Sequence, residues 1–563
     1  MTMLRTAAKI GTRVAGAGLA AGTGYGFYLY ETDEGSERMI KVYWTMVPVV
    51  MNYRLLEAKH KLVGTSDEEW VALDDHYAKR TVDKLGSMQG TYVKYCQTAA
   101  GFHNMFSEVW IHEFRKLENQ VPPRPVETVY ETIRKETGKE VEDLFSYFDP
   151  VPLGSASIGQ VHKAVLKGTG RTVAVKVQYD DAEKLFREDM HTIRNFCNSF
   201  APEHMVTLGA LEKQNALEMD YQLEAENLKD VAHNMRKHGL MPREVVVPQP
   251  FPELTTRRML IMEYLQGPKL GDGLRDFFAD WATQNGTTLE ALEAEARHRI
   301  EEEGIPDKYE GESALTISMY RKALQAYNLL VKSSVALYNG SLGWITAPMD
   351  CPDPRKIPPN IPRIVDTMMR VHGYQLLADG IFNGDPHGGN FLLLPDGRIG
   401  LIDYGATKRL TRNERLSACL LFAAIHRNDE EVLFDMSMTG GYKSKYGNKE
   451  VLMKLIQFGY NSWGKEVTGG KNLQQFVDEL KEKDPWTDVP DNFVMAQFMS
   501  IRLRSLALGM NHPVRCADWW GPMAEEVLKK EGLPYESWDI EQMEKYKPEL
   551  NMQKHKWGLD RFI

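Results

Sequence analysis

The chain has 563 residues, of which 43% are hydrophobic and 26% are charged, and a formal net charge of −10. This length predicts several domains, and this composition is typical of a globular protein rather than a disordered one. The acidic balance, without a basic stripe interleaved with aromatic residues, argues against a nucleic-acid partner. The five cysteines are far apart and form no C-x-x-C pair, so the sequence predicts reduced thiols rather than disulfides or a zinc site.

Residues 1–31 form a segment that we expect to target or anchor the protein. Basic residues precede the first acidic one, Glu31, and Val14 to Tyr30 is uncharged over 17 residues. A helix of that length spans about 26 Å, just short of a hydrocarbon core of about 30 Å. Three interpretations stay open: a membrane-spanning or membrane-anchoring helix, a cleaved transit peptide, and a disordered tail.

Residues 32–148 are expected to form a helical N-terminal extension. Ser66 with Glu69 predicts a capping box at the start of a helix that continues to about Trp110. After a proline-rich interruption, a further helix is expected from Val126 to about Gly138.

Residues 149–267 change to an apolar period of two, which predicts a sheet. Strands are expected at Val161–Lys167 and Arg171–Gln178, and Lys176 lies on the second of them. Small residues before the first strand let backbone amides approach phosphates, and a lysine in this context pairs with phosphate oxygens. The loop residues expected at the nucleotide are Ser155, Ala156, Ser157 and Ile158.

An acidic helix and a hinge are expected to complete this part of the site. Leu211 to Leu228 has helical spacing and several carboxylates, one of which should orient Lys176. Arg258 to Gly267 predicts a buried strand that runs into a hinge, where the backbone near Glu263 and Leu265 would meet an adenine.

Residues 268–362 match no chemical motif, and we treat them as an insertion. They contain a charged helix, Leu289–Glu303, and a proline-rich patch from Pro348 to Pro362. Helix-rich structure is predicted for 363–530, followed by a polar tail, 531–563, to which we assign no role. The expected helices include Arg363–Ile381, which is amphipathic, and a core helix at Leu416–Ile425.

The stretch from Asn383 to Gly405 holds the residue types of a kinase-type phosphotransfer site. Such a site needs a carboxylate near the attacking group, here Asp385, and an amide oxygen and a second carboxylate that hold the metal ions. Phe391–Leu394 and Arg398–Ile402 predict two strands joined by a tight turn. This hairpin would bring Asn390 and Asp403 together at one metal-nucleotide complex.

Four motifs together resemble the UbiB / aarF-domain family of atypical, protein-kinase-like proteins, over about Ser66 to Leu410. Lys94-Tyr95-Cys96-Gln97 is similar to the family's K-x-G-Q motif, and Leu153 to His162 is similar to its Ala-rich loop. Glu218-Met219-Asp220, with Tyr221 and the following Glu224-Ala225-Glu226-Asn227, resembles the family's E-x-D helix. Asp385 to Gly405 resembles its catalytic and metal segment.

The resemblance implies an α+β, two-lobed, protein-kinase-like fold with an N-terminal helical extension, a helix-rich C-lobe and a large insertion. It implies ATP or ADP and Mg²⁺ as cofactors. It implies that Lys176 is the lysine that contacts the nucleotide and that it pairs with Glu212 or Glu218. Asp385 is implied as the catalytic base, and Asn390 and Asp403 as the magnesium ligands. The extension is implied to fold over the active site, and the implied regulatory residues are Lys94, Gln97, Glu218 and Asp220.

By the same resemblance, we expect an ATPase or a small-molecule or lipid-directed kinase that supports mitochondrial lipid or ubiquinone homeostasis. The implied partners are a nucleotide, a membrane lipid or lipid-like substrate, and a membrane. The implied location is the mitochondrion and its inner membrane, with the plastid as the alternative. A nucleotide-binding pseudokinase scaffold at a membrane is a second interpretation. A true protein kinase is a third, disfavoured because no A-P-E segment follows Asp403.

The sequence departs from the family pattern at four places. Cys96 stands where the motif has Gly, Gly154 makes the loop less Ala-rich, Asn383 replaces a His, and Tyr404 replaces a Phe. None of these changes removes a predicted metal ligand or the predicted base.

Overall fold

The structure, a computed structural model, describes most of the chain between its two ends. The described residues are 33–99, 106–119, 122–200, 205–342, 344–384, 386–471, 473–488 and 491–548. The predicted targeting segment and Asp385 therefore lie outside them. Within these ranges, no helix combines the length and the apolar character that crossing a bilayer requires.

The chain divides into two compact units. The first contains the described residues up to Asp220 together with Thr256–Met259, and the second contains Tyr221–Thr255 together with the described residues from Leu260 onward. In both units the described residues form helices and small, mainly antiparallel sheets, as the α+β prediction requires.

The first unit begins with six helices, of which the first four contribute residues to an apolar cluster around Ala78, Cys96, Trp110 and Phe114. Their bounds are α1 (Glu34–Val63), α2 (Asp67–Met88), α3 (Gly90–Ala99), α4 (Glu108–Asn119), α5 (Val126–Thr137) and α6 (Val141–Leu144). α1 falls within the helical extension that was expected for residues 32–148. A buried ion pair holds it, because the Arg38 guanidinium donates to both carboxylate oxygens of Asp189, at 2.8 and 2.6 Å.

The prediction of a long helix from Ser66 is wrong in two respects. The helix is broken after Met88 because Gln89 and Gly90 have positive φ values, 56° and 59°, which end one helix and start the next. Its predicted capping box is not formed, since the Ser66 side chain makes no cap hydrogen bond and the Glu69 carboxylate pairs with Lys59. The helix end predicted near Gly138 is confirmed, because α5 ends at Thr137 and Gly138 follows in the left-handed conformation.

An antiparallel sheet follows in the first unit, in which β3 pairs with β1, β2 and β4. Its strands are β1 (Phe145–Phe148), β2 (Gly154–Ser155), β3 (Gly159–Leu166) and β4 (Thr172–Gln178), and the helices after it are α7 (Ala182–Phe200) and α8 (Met205–Leu217). The predicted strand is confirmed as β4, and Val173, Val175 and Val177 are fully buried on one face. On the other face Ala174 is also buried, and Lys176 is half-buried.

The second unit begins with α9 (Tyr221–Lys237), β5 (Val245–Val246) and most of β6 (Met259–Glu263). The inserted region then forms α10 (Leu270–Gln284), α11 (Leu289–Glu303) and α12 (Ala314–Ser341). The charged helix has the predicted bounds. The helix predicted from Arg363 to Ile381 is shorter, because α13 (Ile361–Gly373) becomes a π-helix at Tyr374–Asp379 and Ile381 starts a strand.

The predicted site segment, Asn383 to Gly405, lies among four short strands: β7 (Ile381–Asn383), β8 (Phe391–Leu393), β9 (Ile399–Leu401) and β10 (Thr407–Arg409). The later elements are α14 (Arg412–Arg427), α15 (Glu430–Gly440), β11 (Lys443–Ser444), α16 (Lys449–Ile456), α17 (Lys465–Thr468), α18 (Leu473–Lys483), β12 (Trp486–Asp488), α19 (Asp491–Gly509), α20 (Cys516–Lys530) and α21 (Ile540–Lys545). The core helix predicted at Leu416–Ile425 is confirmed, since each of its residues is buried in α14.

Helix α20 supplies the other half of this core. Its Trp520 is fully buried, meets Phe422 edge to face at 4.8 Å, and donates from its indole N–H to the Met369 carbonyl at 2.8 Å. A Cβ at Gly373 would lie 2.7 Å from the Trp520 ring, so only glycine fits the end of α13 here. This packing fixes α13, from which the chain enters the catalytic stretch.

Candidate functional site

The predicted metal-binding hairpin is confirmed in its geometry. β8 and β9 pair antiparallel, with Phe391 opposite Leu401, and the turn closes where the Leu394 amide donates to the Arg398 carbonyl at 3.0 Å. Asn390 precedes β8, and the Ile402 amide donates to its carbonyl at 3.2 Å. Asn390 therefore lies across the ladder from the residue next to Asp403, as the spacing requires.

Hydrogen bonds to the backbone fix the position of Asp403. The Asn383 side chain donates to the Asp403 carbonyl at 2.9 Å, and one carboxylate oxygen of Asp403 accepts from the Gly405 amide at 3.1 Å. Asn383 is buried at the end of β7, where it pairs with Thr407 of β10. The asparagine that departs from the family pattern thus holds the segment that contains Asp403, the carboxylate predicted to bind the metal.

Tyr404 is anchored at both of its polar ends. The Gln375 side-chain amide donates to its hydroxyl at 2.8 Å, while the Asn227 amide and the Thr407 hydroxyl donate to its carbonyl at 3.1 and 2.6 Å. Burial, together with the nearby negative charge of Asp403, raises the pKa of the Tyr404 hydroxyl. The hydroxyl therefore stays protonated as a structural group.

Asn227 is a positioning residue to which the sequence analysis gave no role. Its side chain is almost fully buried, and its amide oxygen accepts from Arg409 at 3.0 Å. The same guanidinium pairs with Asp230, one turn further along α9, at 2.6 Å. The only sequence signal was its place directly after the acidic Glu224-Ala225-Glu226 run.

The predicted hinge runs beside the metal hairpin. The Glu263 amide donates to the Gln249 carbonyl at 3.0 Å, and its carboxylate accepts from the Gln249 amide at 3.2 Å. Leu265 reaches β9, because a Cβ added to Gly400 would lie 3.1 Å from its side chain. Next, the Leu393 amide donates to the Pro268 carbonyl at 2.9 Å. The hinge and the hairpin are therefore one connected piece of backbone.

The small-residue loop of the first unit is a tight turn between β2 and β3. The Ala156 amide donates to the Gly159 carbonyl at 2.8 Å, and the Tyr179 amide donates to the Ile158 carbonyl at 2.9 Å. Ser157 is buried. The Ser155 hydroxyl meets the Tyr179 hydroxyl at 2.9 Å.

Tyr179 and Gln160 hold this loop, and neither was predicted to do so. The Tyr179 hydroxyl donates to the Gln160 side-chain oxygen at 3.2 Å, which also accepts from the Arg124 amide at 3.0 Å. The Arg124 guanidinium lies over the Tyr179 ring, 4.2 Å from its centroid. The loop is thus prepared as a rigid backbone surface, which is what phosphate binding by amides needs.

The E-x-D motif forms a turn rather than part of a helix. The predicted acidic helix from Leu211 to Leu228 is interrupted, since α8 ends at Leu217 and α9 starts at Tyr221. The buried Gln178 side chain donates to the Met219 carbonyl at 3.3 Å, which brings the turn to the end of β4, two residues beyond Lys176. Lys176 is half-buried and lies opposite Val161.

Two of the acidic residues in this region have cationic partners. The Lys94 ammonium lies 2.9 Å from the Glu218 carboxylate, and both side chains are largely buried. Glu212, offered as an alternative partner of Lys176, pairs with Arg194 of α7. Asp220 is half-buried at the end of the first unit. The structure therefore brings the predicted extension lysine to the E-x-D turn.

The rest of the extension motif is built into its helical core. The Gln97 side chain donates to the Leu117 carbonyl of α4 at 2.9 Å. Cys96 is buried in the cluster around Trp110 and Phe114, and this burial raises the pKa of its thiol to about 12. The cysteine in the glycine position therefore fills space in an apolar core and stays a neutral thiol.

The residues predicted to form the site belong to both units of the chain. Asn390, Asp403, Glu263 and Leu265 lie together in the second unit. Ser155 to Ile158, Lys176, Lys94, Gln97, Glu218 and Asp220 lie in the first unit. The residue predicted as the base, Asp385, lies outside the described residues.

Comparison with known proteins identifies a family domain in the chain. A model of the ABC1 atypical kinase-like domain matches residues 116–277 and 348–437. The kinase-like fold expected from the sequence is thereby confirmed. The matched ranges contain Lys176 and the metal hairpin, whereas the Lys94 motif and residues 278–347 lie outside them.

Curated proteins are similar to part of the chain. The chain is 32% identical over 254 residues to AarF domain-containing protein kinase 1 of Mus musculus, covering 44% of this chain and 47% of that protein. It is 25% identical over 378 residues to Protein ACTIVITY OF BC1 COMPLEX KINASE 1, chloroplastic, of Arabidopsis thaliana, covering 66% and 42%. Its matches to the animal relatives span about half of their length.

Among solved structures, the complex of Rv3197 with erythromycin from Mycobacterium tuberculosis matches with a TM-score of 0.42 and 19% identity. The match covers 84% of this chain and 100% of that one.

Replacing Tyr404 by Phe should destabilise the second unit. The change removes the hydroxyl that satisfies the buried Gln375 amide, so we expect a loss of about 1–3 kcal/mol in the free energy of unfolding, measured by urea denaturation. The control is Tyr446→Phe at an exposed tyrosine, with an expected change within about 0.5 kcal/mol. Equal effects of the two changes would show that the Gln375 contact does not stabilise the site.

Gly267→Ala should displace the hinge. The new Cβ would lie 2.5 Å from the Leu393 carbonyl oxygen, so backbone must move, at a cost of about 1–3 kcal/mol in unfolding free energy. Gly271→Ala is the matched control, since no neighbouring atom lies within 4 Å of the position that its new methyl group would take. Chemical denaturation of both variants tests this, and an unchanged Gly267→Ala protein would contradict the close approach.

Proposed function

Because this chain contains an ABC1 atypical kinase-like domain, we propose that it binds Mg-ATP and transfers or releases the terminal phosphate. The observation that carries the proposal is the hairpin that places Asn390 beside the fixed Asp403 segment. An amide oxygen and a carboxylate are ligands that Mg²⁺ accepts, and a rigid backbone holds them at one place. The magnesium ion, when bound, would neutralise charge on the phosphates.

The remaining roles follow from the same proposal. Lys176 would contact phosphate oxygens, and the amides of the Ser155–Ile158 turn would cover them. The backbone around Glu263 and Leu265 would receive the adenine. Asp385 would accept the proton of the attacking hydroxyl or water. Lys94, paired with Glu218, would tie the extension to the nucleotide site and regulate it.

We further propose a lipid or lipid-like acceptor, a role in lipid or ubiquinone homeostasis, and membrane association in an organelle. The mitochondrion and its inner membrane are the proposed location, with the plastid as the alternative, because two relatives from Arabidopsis thaliana are named chloroplastic. The support for the mitochondrion is the basic, acid-free character of the first thirty residues.

Asp403→Asn should abolish turnover while keeping the fold. We expect phosphate release from Mg-ATP by the full chain to fall about a hundredfold or more, because a charge that holds the metal is lost. Asp396→Asn is the matched control, since Asp396 lies in the turn of the same hairpin and accepts from the Arg398 amide at 3.0 Å. Its turnover should be unchanged.

Two results would count against phosphotransfer. If Asp403→Asn turns over ATP as fast as Asp396→Asn, then Asp403 holds no catalytic metal. If the unaltered chain binds nucleotide but releases no phosphate, with and without vesicles, then the chain acts as a nucleotide-binding scaffold.

Tyr179→Phe should weaken nucleotide binding without unfolding the sheet. The change releases the Ser155 hydroxyl from its partner, and we expect the dissociation constant for Mg-ADP to rise about fivefold, equivalent to about 1 kcal/mol. Tyr147→Phe, at a half-exposed tyrosine on β1 of the same sheet, is the control. Isothermal calorimetry measures both, and equal affinities would refute the positioning role of Tyr179.

A further inference from the structure

The Arg38 side chain of α1 lies where four helices of the first unit meet. Its guanidinium donates to both carboxylate oxygens of Asp189 on α7, at 2.8 and 2.6 Å. The remaining terminal nitrogen donates to the carbonyl of Met88, the last residue of α2, at 2.6 Å. The guanidinium also lies over the Tyr92 ring of α3, 5.2 Å from its centroid. We call these four residues the Arg38 junction.

The ion pair at the centre of the Arg38 junction is buried. Only 10% of the Arg38 side chain and 1% of the Asp189 side chain are exposed. Burial alone would lower the pKa of Arg38, but the hydrogen bond to Asp189 and its negative charge outweigh burial, so the pKa lies above its ordinary value. Separating the pair would leave two unpaired charges away from water, which is strongly unfavourable. The pair therefore holds α1 and α7 together in one arrangement.

The same junction holds the turn from which α3 starts. α2 ends at Met88, and the chain reverses through Gln89 and Gly90, which both have positive φ values. A Cβ at Gly90 would lie 3.5 Å from the Arg38 guanidinium and 3.7 Å from the Asp189 carboxylate. The ion pair therefore lies directly against the first residue of α3, and the bond to Met88 holds the helix end that precedes it.

Lys94 lies about one helical turn beyond this point. It follows Gly90 by four residues, and its ammonium lies 2.9 Å from the Glu218 carboxylate, with 16% and 15% of the two side chains exposed. The Tyr95 hydroxyl donates to the Met190 sulfur of α7 at 3.1 Å, so α7 contacts α3 again beside Lys94. Because a single turn of helix is stiff, the direction in which α3 leaves the Arg38 junction determines where the ammonium lies.

We propose that Arg38 is a positioning residue for the nucleotide site, because it fixes the direction of α3 and thereby holds Lys94 against Glu218. Glu218 belongs to the E-x-D turn, which Gln178 brings to the end of β4, two residues beyond Lys176. The role of this pair at a nucleotide rests on the proposed function, whereas its dependence on Arg38 does not. α1 is thus part of the support of the site, although it lies outside the family match.

Replacing the ion pair by apolar side chains tests this in the full chain. Arg38→Met with Asp189→Leu removes the bond to Met88 without leaving a buried charge, so the fold should persist. We expect acetylation of Lys94 by an N-hydroxysuccinimide ester, measured by peptide mass spectrometry, to become about tenfold faster, because α3 is free to move. Cys96, which is buried in the apolar cluster of the extension, should stay protected from maleimide.

The matched control makes the same kind of change at an exposed ion pair of the same helix. Arg54 and Glu57 lie 3.1 Å apart on α1, with 50% and 39% of their side chains exposed. Arg54→Met with Glu57→Leu should leave the acetylation rate of Lys94 unchanged, because the Arg38 junction stays intact.

Two outcomes of this labelling would overturn the positioning role. An unchanged acetylation rate at Lys94 would show that α3 keeps its direction without Arg38. Labelling of Cys96 together with Lys94 would show that the ion pair only keeps the extension folded.

Binding of Mg-ADP, measured by isothermal calorimetry, separates this inference from the proposed function. Lys94→Met and the Arg38–Asp189 replacement should change the dissociation constant by the same factor, about threefold or more, and combining them should add nothing further, because they act through one contact. Independent effects, or no effect of either change, would overturn Arg38 as a residue of the nucleotide site. If the unaltered chain binds no Mg-ADP, the proposed function fails, while the acetylation of Lys94 still decides whether Arg38 positions that residue.

Discussion

The structure of the candidate site depends on how the backbone from Asp403 to Gly405 is held. The Asp403 carbonyl accepts from Asn383, and the Tyr404 carbonyl accepts from Asn227 and Thr407, so three side chains fix two consecutive carbonyls. A metal ligand is useful only when its carboxylate is held close to the productive position. Here that position is set by buried residues that hold the backbone next to the carboxylate.

The sequence predicted those parts of the fold that local periodicity determines. The alternating valines around Lys176, the two apolar runs between Phe391 and Ile402, the charged run at Leu289–Glu303 and the apolar run at Leu416–Ile425 each correspond to elements of the observed fold. A short window of residues therefore contains the whole signal in each case. The end of α5 at Gly138 was predicted for the same reason, because a glycine in the left-handed conformation ends a helix locally.

The features that the sequence analysis missed depend on pairs of residues that are far apart in the chain. Asn227 and Tyr404 are 177 residues apart, and Arg38 and Asp189, which hold α1, are 151 apart. A buried Arg or Asn in a helix has the same local pattern as an exposed one, so periodicity cannot distinguish them. The break at Glu218 was missed for a related reason: Gln178 and Lys94 meet that turn from other elements, and no helix-breaking residue marks it.

The inserted helix is connected to the site by rigid contacts rather than by a flexible linker. Asn360 donates to the Ala314 carbonyl and to the Ser318 hydroxyl, and it also caps α13 by accepting from the Arg363 amide. α13 continues into the π-helix and then into β7, which ends at Asn383. Because these bonds join the base of α12 to the helix that leads into the strand ending at Asn383, the inserted helix and the Asp403 segment, which Asn383 holds, belong to one connected framework.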